Sequence, residues 1–242
     1  MYKYNIRKLI KIVSLFVALL IVNGITHGQS IDSKLAKQVD FIPQNSSVLE
    51  QLTEIAQHYQ IPMGIEWIEV PKVEKSQIEK RENMTVENLI KSVLSQSQGY
   101  KMKKKNGLVH IYPSFYVKDE KNILNLRLAH YQIDNANLYD ASLRLRLETL
   151  KKLNPERYKG GWNGGYGYGT PRSDGFDISN ITLSIRNSTV REILNNLIKL
   201  NGNALWIMRF ESLGDVNEAT LPKWAFIPIK TDIYKEKGTY SQ

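Results

Sequence analysis

One short cassette occurs twice in this chain, and that repetition constrains the fold more than any single residue does. The first copy reads Met84-Thr85-Val86-Glu87-Asn88-Leu89-Ile90-Lys91-Ser92-Val93-Leu94, and the second reads Ser188-Thr189-Val190-Arg191-Glu192-Ile193-Leu194-Asn195-Asn196-Leu197-Ile198. Both put Thr-Val at a helix start and apolar pairs at the same later offsets, which makes one apolar stripe at helical spacing. Burying such a stripe offsets only part of the cost of ordering a helix, so each helix must pack on a sheet. The expectation is an α+β chain of two small two-layer modules. Each has two helices packed on a short β-sheet, in the order β-α-β-β-α-β-β.

The flanking sequence supplies the other elements. Residues 39–43 read as a first strand. Ser46 or Ser47 caps the next helix, and Glu50 completes a capping-box pattern with Ser47. Val48, Leu49, Leu52, Ile55, Ala56 and Tyr59 share one face, and Pro62 marks the end. Residues 63–68 read as a strand, 70–75 as a charged connection and 77–82 as a strand leading into the first cassette. Residues 100–104 and 108–112 flank Asn106-Gly107, a pair that tolerates the positive φ of a tight hairpin. In the second unit, 123–129 reads as a strand. Residues 137–150 read as a helix begun by Asp134 or Asn135 and ended by Asn154-Pro155. Residues 176–185, 204–210 and 224–229 read as strands.

Residues 1–28 read as a signal peptide. Lys3, Arg7, Lys8 and Lys11 form a basic start, 12–22 is apolar apart from Ser14, and Thr26 and Gly28 are small. The alternative is a retained anchor, for which the apolar run is short. The chain has no Cys, so disulfides, thiolate metal sites and an N-terminal lipid are excluded. Its net charge is +9, from 33 Lys and Arg against 24 Asp and Glu; without the four cations of the signal, 29 against 24 leaves +5. That balance suits either a solvated surface or attraction to acidic envelope material. With an export address, nucleic acid is not an expected partner, and no membrane span is expected once the signal is removed.

Two stretches stand out as contact sites. In 100–105 the lysines alternate, so Lys101 and Lys103 point away from Tyr100 and Met102. They form either a docking patch or an edge that discourages strand pairing. Residues 157–169 are rich in glycine and aromatics, with Arg157, Tyr158, Trp162, Tyr166 and Tyr168 as recognition candidates. This Gly/aromatic insertion spans 159–175 and is either a recognition loop or a mobile insertion. It lacks the Lys-Ser/Thr of a phosphate loop.

Residues 37–113 resemble the secretin and TonB short N-terminal (STN) domain. The resemblance runs through Val39-Asp40-Phe41-Ile42-Pro43, Leu49-Glu50-Gln51-Leu52-Thr53-Glu54-Ile55-Ala56, Ile61-Pro62-Met63-Gly64-Ile65-Glu66, the first cassette, Gly99-Tyr100 and Gly107-Leu108-Val109-His110-Ile111-Tyr112-Pro113. Residues 122–229 resemble it through the cassette alone, and 230–242 read as a flexible tail. The resemblance implies a bacterial envelope module of two β-α-β motifs that contacts regulatory or assembly proteins and does not catalyse. No barrel is expected after it, because the sequence ends at Gln242, so a freestanding docking or ligand-binding role is implied.

No catalytic constellation stands out. His27, His58, His110 and His130 lack metal-ligand spacing, and no Gly-x-Ser-x-Gly elbow occurs. His110 reads as a packed side chain, and nothing brings Asp40 to Glu66. No enzyme, metal or cofactor is expected. The expected function is docking to another envelope protein, the alternative a glycan or cell-wall binder using the aromatic loop.

Overall fold

The computed structural model describes residues 30–45, 47–68, 83–156, 180–202, 204–210 and 223–228. The readings made for residues 1–28, 70–75, 77–82, 159–175 and 230–242 therefore lie outside the described residues.

The elements run α1 (Ile31–Leu35), α2 (Val48–His58), β1 (Met63–Ile68), α3 (Val86–Leu94), β2 (Tyr100–Lys105), β3 (Leu108–Pro113), a 3-10 turn (Ile123–Asn125), β4 (Arg127–Ala136), α4 (Leu138–Leu153), β5 (Ile181–Thr189), α5 (Val190–Asn201), β6 (Ala204–Phe210) and β7 (Lys223–Pro228). The mixed α+β class is as expected. No helix among the described residues is long and apolar enough to cross a membrane.

The two cassettes are seated alike. Thr85 and Thr189 cap α3 and α5, each accepting from the backbone N–H three residues on. Thr85 bridges Gln38, and Thr189 pairs with Arg127. The next N–H, of Val86 or Val190, donates to the carbonyl just before that partner, Lys37 or Leu126, at 3.0 Å in both cases. The apolar stripes Val86, Leu89, Ile90, Val93 and Leu94 on α3 and Val190, Ile193, Leu194, Leu197 and Ile198 on α5 are buried. Each helix then leads into an antiparallel hairpin, β2–β3 or β6–β7. The first turns around Asn106 and Gly107, both at positive φ.

The expectation of a separate sheet for each module is corrected. β6 pairs in parallel with β1, giving one five-stranded sheet of order β2-β3-β1-β6-β7. β4 and β5 form a separate two-stranded ribbon. The physical reason lies in β1 and β6, which apart from Glu66 and Arg209 carry apolar side chains on both faces and need cover on both. Leu205 and Ile207 join a core with α2, α3 and the Met63, Ile65 and Trp67 face of β1. Ala204, Trp206, Met208 and Phe210 join another with α4, α5 and the ribbon. The described residues from 31 onward thus cluster as one compact unit.

Local differences are few. The strand read at 123–129 begins at Arg127, after a 3-10 turn capped by the Asn122 side chain. α4 starts after Asn137 rather than Asp134 or Asn135, because Asn137 accepts from the Asp140 N–H. Residues 39–43, read as a first strand, form no strand; the isolated bridge of Gln38 to Thr85 lies just before them. Of the two candidates Ser46 and Ser47, Ser47 caps α2; the reciprocal capping box expected there with Glu50 forms instead at Thr189 and Glu192.

Candidate functional site

Strand β1 is buried along its whole length, and one of its six residues is a carboxylate. Met63, Ile65 and Trp67 face α2 and α3. By the period-two alternation of a strand, Gly64, Glu66 and Ile68 face the opposite side. Gly64 is flanked by His110 on β3 and Trp206 on β6. A Cβ at Gly64 would lie 2.5 Å from the indole, so glycine is what lets Trp206 lie flush against the strand. Trp206 is fixed in turn by donating from Nε1 to Asn195 Oδ1 at 2.9 Å.

Glu66 is fully buried. An isolated carboxylate there would be prohibitive, so its partners define the site. His110 Nε2 lies 2.7 Å from Oε1. Arg191, in the first turn of α5, donates from Nε to Oε1 at 2.5 Å and from Nη2 to Oε2 at 3.1 Å. Asn122, also buried, donates to Oε2 at 3.2 Å. Burial pushes the Glu66 carboxyl up, but the hydrogen bonds of His110 and Arg191 and their charges outweigh it, so its pKa lies below the ordinary value. Arg191 also donates to Asn125 Oδ1 at 2.5 Å, and Asn122 to the Tyr116 carbonyl at 3.2 Å. Residues 114–126 are thereby tied down beside the carboxylate.

Next to this network opens a groove of about 770 Å³. One wall is the β2–β3 hairpin, with Lys103, Lys105, Leu108, His110 and Tyr112. The other is made by Val117, Lys118, Glu120, Asn125, Leu126 and Arg127 with the start of α5. Strand alternation explains the first wall. Tyr100 and Met102 turn toward the α2–α3 core. Lys104 turns the same way, to Asp32 at 2.8 Å and Glu87 at 3.5 Å. Lys101, Lys103 and Lys105 are left exposed on the opposite face. Five basic side chains (Lys103, Lys105, Lys118, Arg127, Arg191) line the groove against two acidic ones, Glu120 and Glu192. Glu192 is already engaged with the Thr189 N–H at 2.9 Å, and that backbone hydrogen bond leads the effects holding its pKa low.

Of the residues singled out in the sequence, Lys103 lines the groove, and Lys101 is exposed on the same face of β2. Arg157, Tyr158, Trp162, Tyr166 and Tyr168 lie outside the described residues, as does His27. His110 is packed, as expected, but its ring nitrogen is committed to Glu66. The other histidines are elsewhere, His58 on Asp40 at 3.1 Å and His130 near Ser184 at 3.3 Å. Asp40 and Glu66 have separate partners. Among the described residues no group of three or more His, Asp and Glu side chains is arranged to hold a metal ion.

Sequence reasoning missed the Glu66–Arg191–Asn122 cluster and the contributions of Lys118 and Arg127. One signal was present: Glu66 interrupts a strand that is otherwise apolar, and a charge in a strand of that kind needs a partner. The cluster is closed and fully hydrogen-bonded, so Glu66 serves to fix positions. The groove beside it is lined by more basic than acidic side chains. Comparison with known family models, with characterised proteins and with solved structures finds no match to this chain.

Proposed function

We propose that this chain is an exported, non-catalytic envelope protein that docks another protein, and that the basic groove between β2–β3 and residues 117–127 is its contact surface. The observation that carries this reading is the concentration of cationic side chains on a concave wall, in a chain whose mature part is only mildly basic. The STN-like pattern of residues 37–113 supports it, since modules of that family contact regulatory or assembly proteins. In this reading 37–113 and 122–229 are diverged copies of one β-α-β-β-α-β-β unit, and the matched seating of Thr85 and Thr189 supports their kinship. Residues 1–28 are a cleaved signal, and the chain works in the periplasm or outside the cell.

The test is site-specific photo-cross-linking in native cells. A cross-linker at position 118 in the groove is compared with one at position 152, an exposed site on α4. The reading expects a discrete protein adduct from 118 and none from 152. Equal or absent adducts at both positions would overturn it. Deleting 160–169 in the same experiment asks whether the aromatic loop contributes. A tryptophan fluorescence response to envelope polysaccharide, with no protein adduct, would favour the glycan-binding alternative.

A further inference from the structure

We infer that the groove takes an extended acidic segment of the partner, with carboxylates two residues apart lying along Lys103 and Lys105. This rests on the docking reading and names the chemistry of what docks.

The spacing is the first argument. Lys103 and Lys105 project from one face of a strand, so their backbone positions repeat at about 6.6 Å, twice the rise per residue. Same-face side chains of an extended peptide repeat at the same interval. Two lysines so placed meet residues i and i+2 of a segment lying parallel to β2.

The second argument is unbalanced charge. On the opposite face of the hairpin the lysines have acidic partners: Lys91 of α3 lies 2.7 Å from Glu87, and Lys104 reaches Asp32 and Glu87. Lys103, Lys105 and Lys118 make no ion pair among the described residues. Arg127, on the wall that Lys118 belongs to, donates to the Asn187 carbonyl at 2.7 Å; it and Lys105 share the nearby Glu192 carboxylate, which is also engaged by the Thr189 N–H, so two cations face one carboxylate there. The like charges around the concavity repel one another, and an anionic occupant relieves that repulsion.

The third argument concerns shape. A single phosphate needs donors that converge, best of all a guanidinium able to grip two oxygens. Arg191 is the guanidinium deepest in this site, and Glu66 already holds both of its gripping nitrogens. The remaining cations are spread along two walls, which matches charges distributed along a chain. A groove of about 770 Å³ is large enough for a short segment of that kind.

The experiment is fluorescence anisotropy of the purified protein with labelled decapeptides. One alternates Glu and Thr, one has the same composition in blocks, and one alternates Lys and Thr. Inorganic polyphosphate is the competitor. The alternating acidic peptide should bind best and weaken as salt rises. Lys103→Glu with Lys105→Glu should weaken it by about tenfold or more, whereas Lys104→Glu, on the other face, should leave it nearly unchanged. All three positions are exposed, and a thermal melt of each variant verifies folding. Equal binding of the alternating and blocked peptides, indifference to the double variant, or displacement by polyphosphate at equal affinity would each overturn the inference. A cross-link at position 118 that persists while the acidic peptide fails to bind would sink the inference and leave docking standing. Peptide binding without any cellular adduct would sink the docking reading instead.

Discussion

Arg191 lies 125 positions beyond Glu66, yet its guanidinium grips both oxygens of that buried carboxylate, at 2.5 and 3.1 Å. The pair ties the first turn of the second-cassette helix to β1, the central strand of the five-stranded sheet. Arg191 also lines the groove, so the ion pair fixes one of the groove's side chains.

Removing Arg191 should therefore be severe. Arg191→Leu leaves Glu66 in the interior with only His110 and Asn122, and should cost about 3–5 kcal/mol of unfolding free energy. Replacing both partners, Glu66→Leu with Arg191→Leu, should cost less than the single change, because no lone charge remains. Urea unfolding of the two single variants, Glu66→Leu and Arg191→Leu, and of the double variant decides this. A double variant as weak as the sum of its parts would show that the charge is not the issue.

The same carboxylate makes stability sensitive to acid. Its folded pKa is depressed, so its contribution is fully present above the unfolded value of 4.5. It is lost as pH falls below that value and through the folded pKa. Asp40, Glu87 and Glu192 are depressed as well and share in the loss. The contribution of Glu66 is read by difference: between pH 5 and pH 3 the melting temperature of Glu66→Gln should fall less than that of the parent protein. Parallel curves would remove Glu66 as a source of the acid sensitivity.

Gly64 tests the packing of the central sheet. Gly64→Ala sets a methyl 2.5 Å from the Trp206 ring, so the indole must shift within a closed core. The expected cost is about 1–3 kcal/mol. Because the clash is with one side chain, adding Trp206→Leu should cost less on the Gly64→Ala background than on the parent. Thermal unfolding of all four proteins in the cycle measures that coupling.

The two threonine caps provide a matched pair. Thr85→Ala and Thr189→Ala each remove a side-chain acceptor from a helix N-terminus, at about 1 kcal/mol apiece. The loss at Thr189 should be the greater, because Glu192 Oε2 accepts from the Thr189 N–H and the Thr189 hydroxyl that completes the box holds the Glu192 backbone in place for it. Chemical unfolding of the two single variants checks the order.

Much of the local structure was legible. β1 at Met63–Ile68, the α2 cap at Ser47, both cassette helices and the Asn106-Gly107 turn all follow from residue type and spacing. The turn between 122 and 127 was not, because Asn122 caps it only through a side chain that also contacts Glu66, far away in sequence. The basic wall of β2 was visible as alternation, and Lys103 was singled out from it. Its counterparts Lys118 and Arg127 carry no pattern of their own; they join Lys103 only after residues 114–126 fold back over β1.

By itself the sequence determined the elements and the faces they bury, since period and capping are local properties of neighbouring residues. Only the tertiary structure decided that β6 adds to β1 in one sheet, that Glu66 meets Arg191 and that the lysines border a groove. Parallel strand pairing and buried ion pairs join residues that are remote in the chain. Their partners are selected by which faces remain uncovered once the helices have packed, and no local pattern encodes that.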